Sequence, residues 1–213
     1  MQTNEDPVPG MATSLHVRRA VDGDDDSIAW LVDRLRPLLL AQAAWRLGPG
    51  LRRVCEPEDL VHEAWLVLLP RLGSLPPRDG RLTPVLLSFL STTILHKANN
   101  LLRREARRKL AGHEVADSHG DDDSPIELGG PRSEVIASVV RREMSCQVQD
   151  ALAELPDQDR EIILLRGIEQ QDPEIVAQLY DISRGALSKR YNRALARLRQ
   201  RLPDSVFAEL LDD

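Results

Sequence analysis

Aromatic residues are scarce in this chain, which has 213 residues and only 3% Phe, Trp and Tyr. Its hydrophobic content is nevertheless 42%, so any hydrophobic core must be built from Leu, Val, Ile and Ala. Long alternation of apolar and polar residues, the pattern of a half-buried strand, is also missing. The composition favours helices packed on helices over a β-sandwich, and we predict an all-α fold.

Cysteines and long apolar runs are equally rare. Cys55 and Cys146 are too few for a disulfide framework, which is typical of a reduced intracellular protein. The polar start MQTNEDPVPG predicts no signal peptide, and no apolar run approaches the roughly 20 residues of a membrane span. Phosphate loops, metal-ligand clusters and a credible nucleophile with its base are absent too. We therefore expect a cytoplasmic protein that is not an enzyme and has no cofactor, metal, small-molecule substrate or membrane insertion.

Positive charge is in deficit overall but is concentrated locally. The chain carries 28 Lys and Arg against 34 Asp and Glu, yet residues 182–201 contain seven basic side chains and no acidic one. Residues 14–110 hold 16 basic against 11 acidic side chains, whereas residues 111–133 hold one basic against six acidic. Two basic zones on either side of an acidic segment indicate a polyanionic partner such as nucleic acid.

The acidic segment, residues 111–133, reads as a flexible linker because it combines four Gly, two Pro and three successive Asp. It separates two small predicted helical domains, residues 14–110 and 134–205, with tails at 1–13 and 206–213. Caps and breakers place four helices in the first domain, at about 13–21, 26–47, 57–72 and 83–110. They place four in the second, at about 134–155, from after LPDQD to 167, 173–180 and 184–202. Pro37 is expected to kink the second helix.

The last two predicted helices have the spacing of a helix-turn-helix, because only three or four residues around YDIS separate them. The final helix carries an apolar stripe of Leu187, Tyr191, Ala194, Leu195, Leu198 and Leu202. Its other side carries Lys189, Arg190, Arg193, Arg197 and Arg201, with the small Ala186 among them. One face suits packing and the other suits a major groove. A merely solvated basic helix is the alternative.

The third predicted helix, in PEDLVHEAWLVLLPRL, also has two distinct sides. Leu60, Val61, Ala64, Trp65, Leu68 and Leu69 give the core stripe. On the opposite side, acids mix with Leu66 and Val67, which indicates a docking surface; a helix buried on most sides is the alternative. Leu66 stands where a zinc protease motif requires a second histidine, so that interpretation fails.

Two blocks of the sequence resemble a known family. PEDLVHEAWLVLLPRL resembles the core-binding helix of extracytoplasmic-function (ECF, group IV) RNA polymerase sigma factors of the sigma-70 superfamily. ALAELPDQDREIILLRGIE, followed by DPEIVAQLYDISRGALSKRYNRALARLRQRL, resembles their C-terminal promoter-binding domain. The resemblance covers about residues 14–110 and 134–202. It implies a protein that binds core RNA polymerase at its clamp and flap regions and directs it to the −10 and −35 elements of promoter DNA; anti-sigma factors are common partners in this family.

The resemblance also implies three sets of contact residues. The set for core polymerase is Asp59, His62, Glu63 and Leu66. The set for the −10 element is Arg78, Phe89, Lys97, Asn99, Asn100, Arg103, Arg104 and Arg107. The set for the −35 element is Arg184, Ala186, Ser188, Lys189, Arg190, Arg193 and Arg197. The loop 73–81 resembles one that holds a flipped base. The acidic linker resembles a connector that runs through polymerase, and a plain tether is the alternative.

The chain also departs from the family pattern. Asp181 stands in the helix-turn-helix turn where glycine is usual, at a position that often needs φ > 0, which Asp tolerates. In the recognition helix, where the family often has Thr-Val and Lys-Ser-Arg, this chain has Ala186-Leu187 and Ser188-Lys189-Arg190. No tryptophan lies near Phe89 in the sequence, where family members often carry an aromatic residue for strand opening. Two other classes of function stay open: a helix-turn-helix regulator that binds an operator without polymerase, and a helical adaptor that binds a protein through Leu66.

Overall fold

The computed structural model describes residues 9–110 and 133–202, with side chains in 12–108 and 143–202. Every regular element in these ranges is helical, which confirms the all-α prediction. The elements in chain order are α1 (Pro9–Val21), α2 (Asp25–Leu51), α3 (Pro57–Leu68), α4 (Thr83–Leu110), α5 (Ser133–Ala153), α6 (Asp157–Ile162), α7 (Pro173–Leu179) and α8 (Arg184–Arg199). A 3₁₀ turn, Leu69–Ser74, follows α3, and a π-helical stretch, Ile163–Ile168, continues α6.

Parts of the predicted domain organisation fall outside these ranges. Residues 111–132 of the acidic linker, residues 1–8 of the N-terminal tail and the whole C-terminal tail lie outside the described residues. Residues 9–13 of the predicted tail instead belong to α1, which begins earlier than predicted. Within the described part of the chain, no helix has the length and apolarity to cross a bilayer.

Helix α2 differs from its prediction at both ends. It begins at Asp25 with Asp24 as N-cap, and the hydroxyl of Ser27 donates to the Asp24 carboxylate at 2.6 Å. Gly48 (φ 58°) breaks the helix as expected, but a final turn continues to Leu51. The backbone angles stay helical through Pro37, so the predicted kink is not seen in them. Buried leucines on both sides of Pro37 hold this part of the helix in place.

The buried side chains form two clusters of aliphatic residues. The cluster of α1–α4 contains, among others, Leu31, Leu39, Leu60, Leu68, Leu86 and Leu90. The cluster of α5–α8 contains, among others, Val148, Leu152, Ile162, Leu164, Val176 and Leu187, and also Leu38 and Ala41 from α2. Helix α2 therefore serves both clusters, and the division of the chain into two separate domains stays a prediction.

A buried ionic contact joins the two clusters. Glu169, only 2% exposed, accepts hydrogen bonds at Oε1 from Gln42 Nε2 (3.0 Å) and from Arg46 Nε (2.9 Å) and Nη2 (2.6 Å). A third nitrogen of Arg46, Nη1, donates to Glu161 at 3.1 Å. Burial opposes the charge on Arg46, but Glu169 and then Glu161 outweigh it and raise its pKa above the ordinary value. The guanidinium is therefore charged, and both carboxylates bind it. We call the four side chains of Gln42, Arg46, Glu161 and Glu169 together the ionic contact.

Further contacts join the same two groups of helices around the ionic contact. The hydroxyl of Ser91, which is fully buried in α4, donates to the Ile168 carbonyl at 2.9 Å. The indole of Trp45 donates to Glu161 at 3.0 Å, and the guanidinium of Arg160 lies 3.8 Å from the centre of the Trp45 ring. These are directional contacts, so α2 and α4 hold the π-helical stretch in one orientation.

Candidate nucleic-acid interface

The four predicted polymerase contacts share one exposed side of α3. Asp59, His62, Glu63 and Leu66 are all exposed, Leu66 by 51%, while the predicted core stripe is buried from Leu60 to Leu68. Its last predicted member, Leu69, is exposed, because α3 gives way there to the 3₁₀ turn. Asp59 also supports the helix start, because the backbone N–H of Glu56 donates to its Oδ2 at 3.2 Å. This side of α3, called the α3 face below, combines two carboxylates with an exposed leucine.

The carboxylates of the α3 face affect the pKa of the neighbouring Cys55 thiol. Burial, followed by the nearby carboxylates of Asp59 and Glu63, raises the pKa of this thiol to about 11. The thiol is therefore protonated at neutral pH and is a poor nucleophile or metal ligand. The carboxylates of Asp59 and Glu63, which add to the effect of burial, also give this face a negative charge that a basic surface on a partner would match.

An open groove of about 700 Å³ runs along α4. Four of the predicted −10 residues line it: Arg78, Phe89, Lys97 and Asn100. The groove thus combines a ring, an amide and two cations from the predicted set, the groups that stack on bases, read base edges and bind phosphates. The other predicted residues of this set, Asn99, Arg103, Arg104 and Arg107, are exposed on α4 but do not line the groove.

Sequence reasoning missed several polar residues of this groove. Arg71, Ser88, Thr92 and His96 also line it. The last three follow one another at intervals of four residues along α4, so they share a helix face with Phe89 and Asn100. The same helical spacing that predicted the core stripe of α3 would have found them.

A tight turn holds Arg78 at the mouth of the groove. Arg78 and Arg81 exchange two backbone hydrogen bonds, of 3.0 and 2.9 Å, across Asp79 and Gly80. Both central residues have positive φ, 52° and 77°, as in a type I′ turn, which the Asp-Gly pair favours. The loop 73–81 is therefore a defined turn at this point, and its proposed role in holding a base stays a prediction.

The α3 face and the groove meet at one ion pair. Lys97, predicted for DNA, donates to the carboxylate of Glu63, predicted for polymerase. Their side chains are 32% and 51% exposed, so solvent screens the pair and its contribution to stability is about 0–1 kcal/mol. The two predicted surfaces are therefore adjacent and share a charged contact.

Helices α7 and α8 form the predicted helix-turn-helix. Asp181 in the turn has φ 51°, which confirms that the position requires a left-handed residue. The hydroxyl of Ser183 accepts from the Ala186 N–H at 3.2 Å and caps α8. Leu187 and Tyr191 are buried, as the apolar stripe of α8 predicts. Six of the seven predicted −35 contacts are exposed: Arg184, Ala186, Ser188, Lys189, Arg193 and Arg197.

Two arginines of α8 are bound to a single buried carboxylate. Asp159, 7% exposed, accepts from Arg190 Nε at 2.7 Å through Oδ1 and from Arg197 Nη1 at 2.8 Å through Oδ2. Arg190 is consequently only partly exposed, at 28% of its side chain, while Arg197 is 55% exposed. Sequence reasoning missed Asp159, because nothing in LPDQD distinguishes it from its acidic neighbour Asp157.

The start of α8 lies beside the turn at the groove. Arg184, Arg166 and Glu174 line a cleft of about 350 Å³ together with Arg78 and Asp79. Residues predicted for the −35 element and for the −10 element therefore lie on the same cleft.

The segment that contains the helix-turn-helix matches a known protein family. Residues 151–200 match the family model for sigma-70, region 4. Over 185 residues the chain is 29% identical to the ECF RNA polymerase sigma factor ShbA of Streptomyces griseus subsp. griseus, which covers 86% of this chain and 91% of the relative.

Two further comparisons extend over most of the chain. The ECF RNA polymerase sigma factor SigW of Bacillus subtilis is 26% identical over 199 residues, covering 91% of this chain and 98% of that protein. The solved structure of CnrH in complex with the cytosolic domain of CnrY is 22% identical, with a TM-score of 0.39, and covers 89% of this chain and 96% of that one. The α3 face, the basic groove and the helix-turn-helix thus belong to a chain that matches ECF sigma factors across nearly its whole length. The chain is therefore similar to ECF RNA polymerase sigma factors along most of its length, with a match to sigma-70, region 4, at residues 151–200.

Proposed function

We propose that this chain binds core RNA polymerase and directs it to promoters in the bacterial cytoplasm, without catalysing a reaction itself. One observation carries the proposal: a single chain presents an acidic and aliphatic docking face, a basic groove with an aromatic ring, and a helix-turn-helix with a basic outer side. A regulator that binds DNA alone needs only the last of these. The names of the relatives in Streptomyces and Bacillus support the same function.

Each surface has a role in this proposal. The α3 face binds polymerase through Asp59, Glu63 and Leu66. The groove along α4 binds the −10 element, with Phe89 against a base and Lys97 and Arg78 on phosphates. Helix α8 lies in the major groove at the −35 element, where arginine and lysine bind guanine edges and phosphates.

The proposal requires the two groups of helices to move apart. The −10 and −35 elements are about 25 base pairs apart, which at 3.4 Å per base pair is about 85 Å. Arg78 and Arg184, by contrast, line one cleft of about 350 Å³. With the two groups of helices in contact at this cleft, the chain therefore cannot bind both elements together. The ionic contact and the Ser91 bond lie between the groups that must separate.

Transcription with purified core polymerase tests the proposal. The chain is added to core polymerase on fragmented genomic DNA, and the start sites of the transcripts are mapped. We expect transcripts that depend on the chain and share upstream sequence, and no comparable gel shift of the same fragments by the chain alone. No specific transcript would reject the proposal, and a tight, salt-sensitive shift without polymerase would favour a stand-alone regulator.

Replacement of Arg193 by alanine is expected to weaken initiation that depends on the −35 element. Arg193 is exposed on the basic side of α8, and losing one DNA contact of this kind costs about 1–3 kcal/mol, or roughly 5- to 150-fold. Run-off transcription from a mapped promoter measures the change. Arg199→Ala is the matched control, because Arg199 is an exposed arginine about 120° away around the same helix. Equal effects of the two substitutions would contradict the assignment of the DNA-facing side.

A further inference from the structure

Asp159 makes the two ion pairs that link α6 to the basic side of α8. Arg190 and Arg197 are seven residues apart, about two helical turns, so they lie on one side of α8 roughly 10 Å from each other. A carboxylate accepts on two oxygens, and Asp159 uses one for each arginine, at 2.7 and 2.8 Å. Since Asp159 is 7% exposed and α6 packs against α8, its own position is fixed by the fold.

The remaining nitrogens of both arginines stay available. A guanidinium carries five N–H donors, and Asp159 engages Nε of Arg190 and Nη1 of Arg197. The side chains are 28% and 55% exposed, so both reach the outer side of the helix. Lys189 and Arg193 on the same side make no ion pair with any residue that the structure describes. On this side of α8, Asp159 therefore holds Arg190 and Arg197, while Lys189 and Arg193 have no ion-pair partner among the described residues.

We propose that Asp159 is a positioning residue for sequence readout by α8, an inference that rests on the proposed promoter recognition. A guanine edge is read by two N–H donors in a fixed orientation, which a freely rotating arginine adopts only at a cost in side-chain entropy. An ion pair to a buried carboxylate removes that freedom before DNA binds. It also prevents the two guanidinium groups from turning to phosphates, whose contacts carry no sequence information. Asp159 thus confers base preference and limits non-specific affinity without touching DNA.

The test compares holoenzymes carrying the wild-type chain, Asp159→Asn and Asp157→Asn. Asp157 is the matched control: it lies two residues away in the same helical turn and carries the same charge, but its carboxylate binds Arg160 instead of α8. Each holoenzyme transcribes a library of duplex promoters with randomised −35 regions, and sequencing of the transcripts gives the base preference at every position. Filter binding to mixed-sequence duplex DNA at several salt concentrations measures non-specific affinity.

We expect Asp157→Asn to behave as the wild type. Asp159→Asn should lose about 5- to 100-fold of base preference at the positions read by the two arginines. Its non-specific binding should rise, with a salt dependence steeper by about 1–2 because up to two guanidinium groups reach phosphates. A folded Asp159→Asn chain with wild-type preferences and wild-type salt dependence would overturn the inference.

A second variant covers the case in which Asp159→Asn does not fold. Arg197→Gln removes the more exposed partner and leaves Arg190 bound, and it should lose preference at a subset of the same positions. Wild-type preferences in this variant would also overturn the inference. If the wild-type holoenzyme itself initiated without any upstream base preference, the proposed −35 role of α8 would be wrong, and the inference would fail with it. If the wild type shows a base preference and the variants lose it, the result supports the −35 role and the inference.

Discussion

Replacement of Asp59 by arginine is expected to abolish binding of core RNA polymerase at concentrations where the wild type is saturated. The side chain is exposed on the α3 face beside Glu63 and Leu66, where an arginine would oppose a basic partner surface. Reversing a charge that is desolvated in an interface costs about 2–5 kcal/mol or more, which is roughly 30- to several thousand-fold in affinity. Binding of labelled chain to immobilised core polymerase measures the effect.

A second role of Asp59 must be separated from docking. Its carboxylate accepts from the Glu56 N–H, and losing such a bond at a helix start costs about 1 kcal/mol. An arginine in the first turn also opposes the helix dipole. Glu58→Arg is the matched control, because Glu58 is an exposed acid in the same turn, about 100° away from the α3 face. Equal binding by the Asp59 variant and the wild type would reject the docking role.

Replacement of Glu169 by alanine is expected to destabilise the protein by about 3–5 kcal/mol, because it removes one partner of a buried ion pair. Arg46 and Gln42 would lose the acceptor that binds three of their N–H groups. Within the described residues Glu169 Oε2 has no hydrogen-bond partner, so the contact depends on the single oxygen Oε1. The effect should be among the largest of any charged residue in the described part of the chain.

Urea unfolding followed by two probes measures this effect. All three tryptophans lie in α2 and α3. Their fluorescence therefore reports the first group of helices and, through Trp45, its contact with Arg160 and Glu161, while far-UV circular dichroism reports the whole chain. In the wild type the two transitions should coincide, and in Glu169→Ala they should separate. Glu161→Ala is the control, because Glu161 is 25% exposed and its loss should cost about 1 kcal/mol or less. A Glu169 variant as stable as the wild type, with coincident transitions, would mean that the ionic contact does not join the two groups.

Much of the local structure was predictable from the sequence, because it depends on residues close together in the chain. The bounds of α4 match the prediction, since a Thr-Pro start fixes one end. The core stripe of α3 and the buried side of α8 follow from helical periodicity. The conformation of Asp181 follows from the chemistry of the turn.

The contacts between distant segments were not predictable. Arg46 and Glu169 are separated by 123 positions, and Asp159 is separated from Arg190 by 31. No local pattern indicates that such residues are paired, and a basic helix reads the same whether or not its arginines are bound. For this reason the sequence predicted a uniform basic side on the last helix and two independent domains. In the structure three of those arginines are bound, Arg190 and Arg197 by Asp159 and Arg201 by Glu154, and α2 packs against both groups of helices.

The ion pair between Glu63 and Lys97 has a thermodynamic consequence. If polymerase binds Glu63 and the promoter binds Lys97, each ligand must break the same contact. Whichever binds first removes that cost for the other, and by linkage the coupling is reciprocal: polymerase and promoter then raise the affinity for each other by the same factor. An exposed pair limits this coupling to about 1 kcal/mol, or roughly fivefold. A defect in the Lys97 variant would then appear in polymerase affinity as well as in DNA binding, although Lys97 lies in the DNA groove.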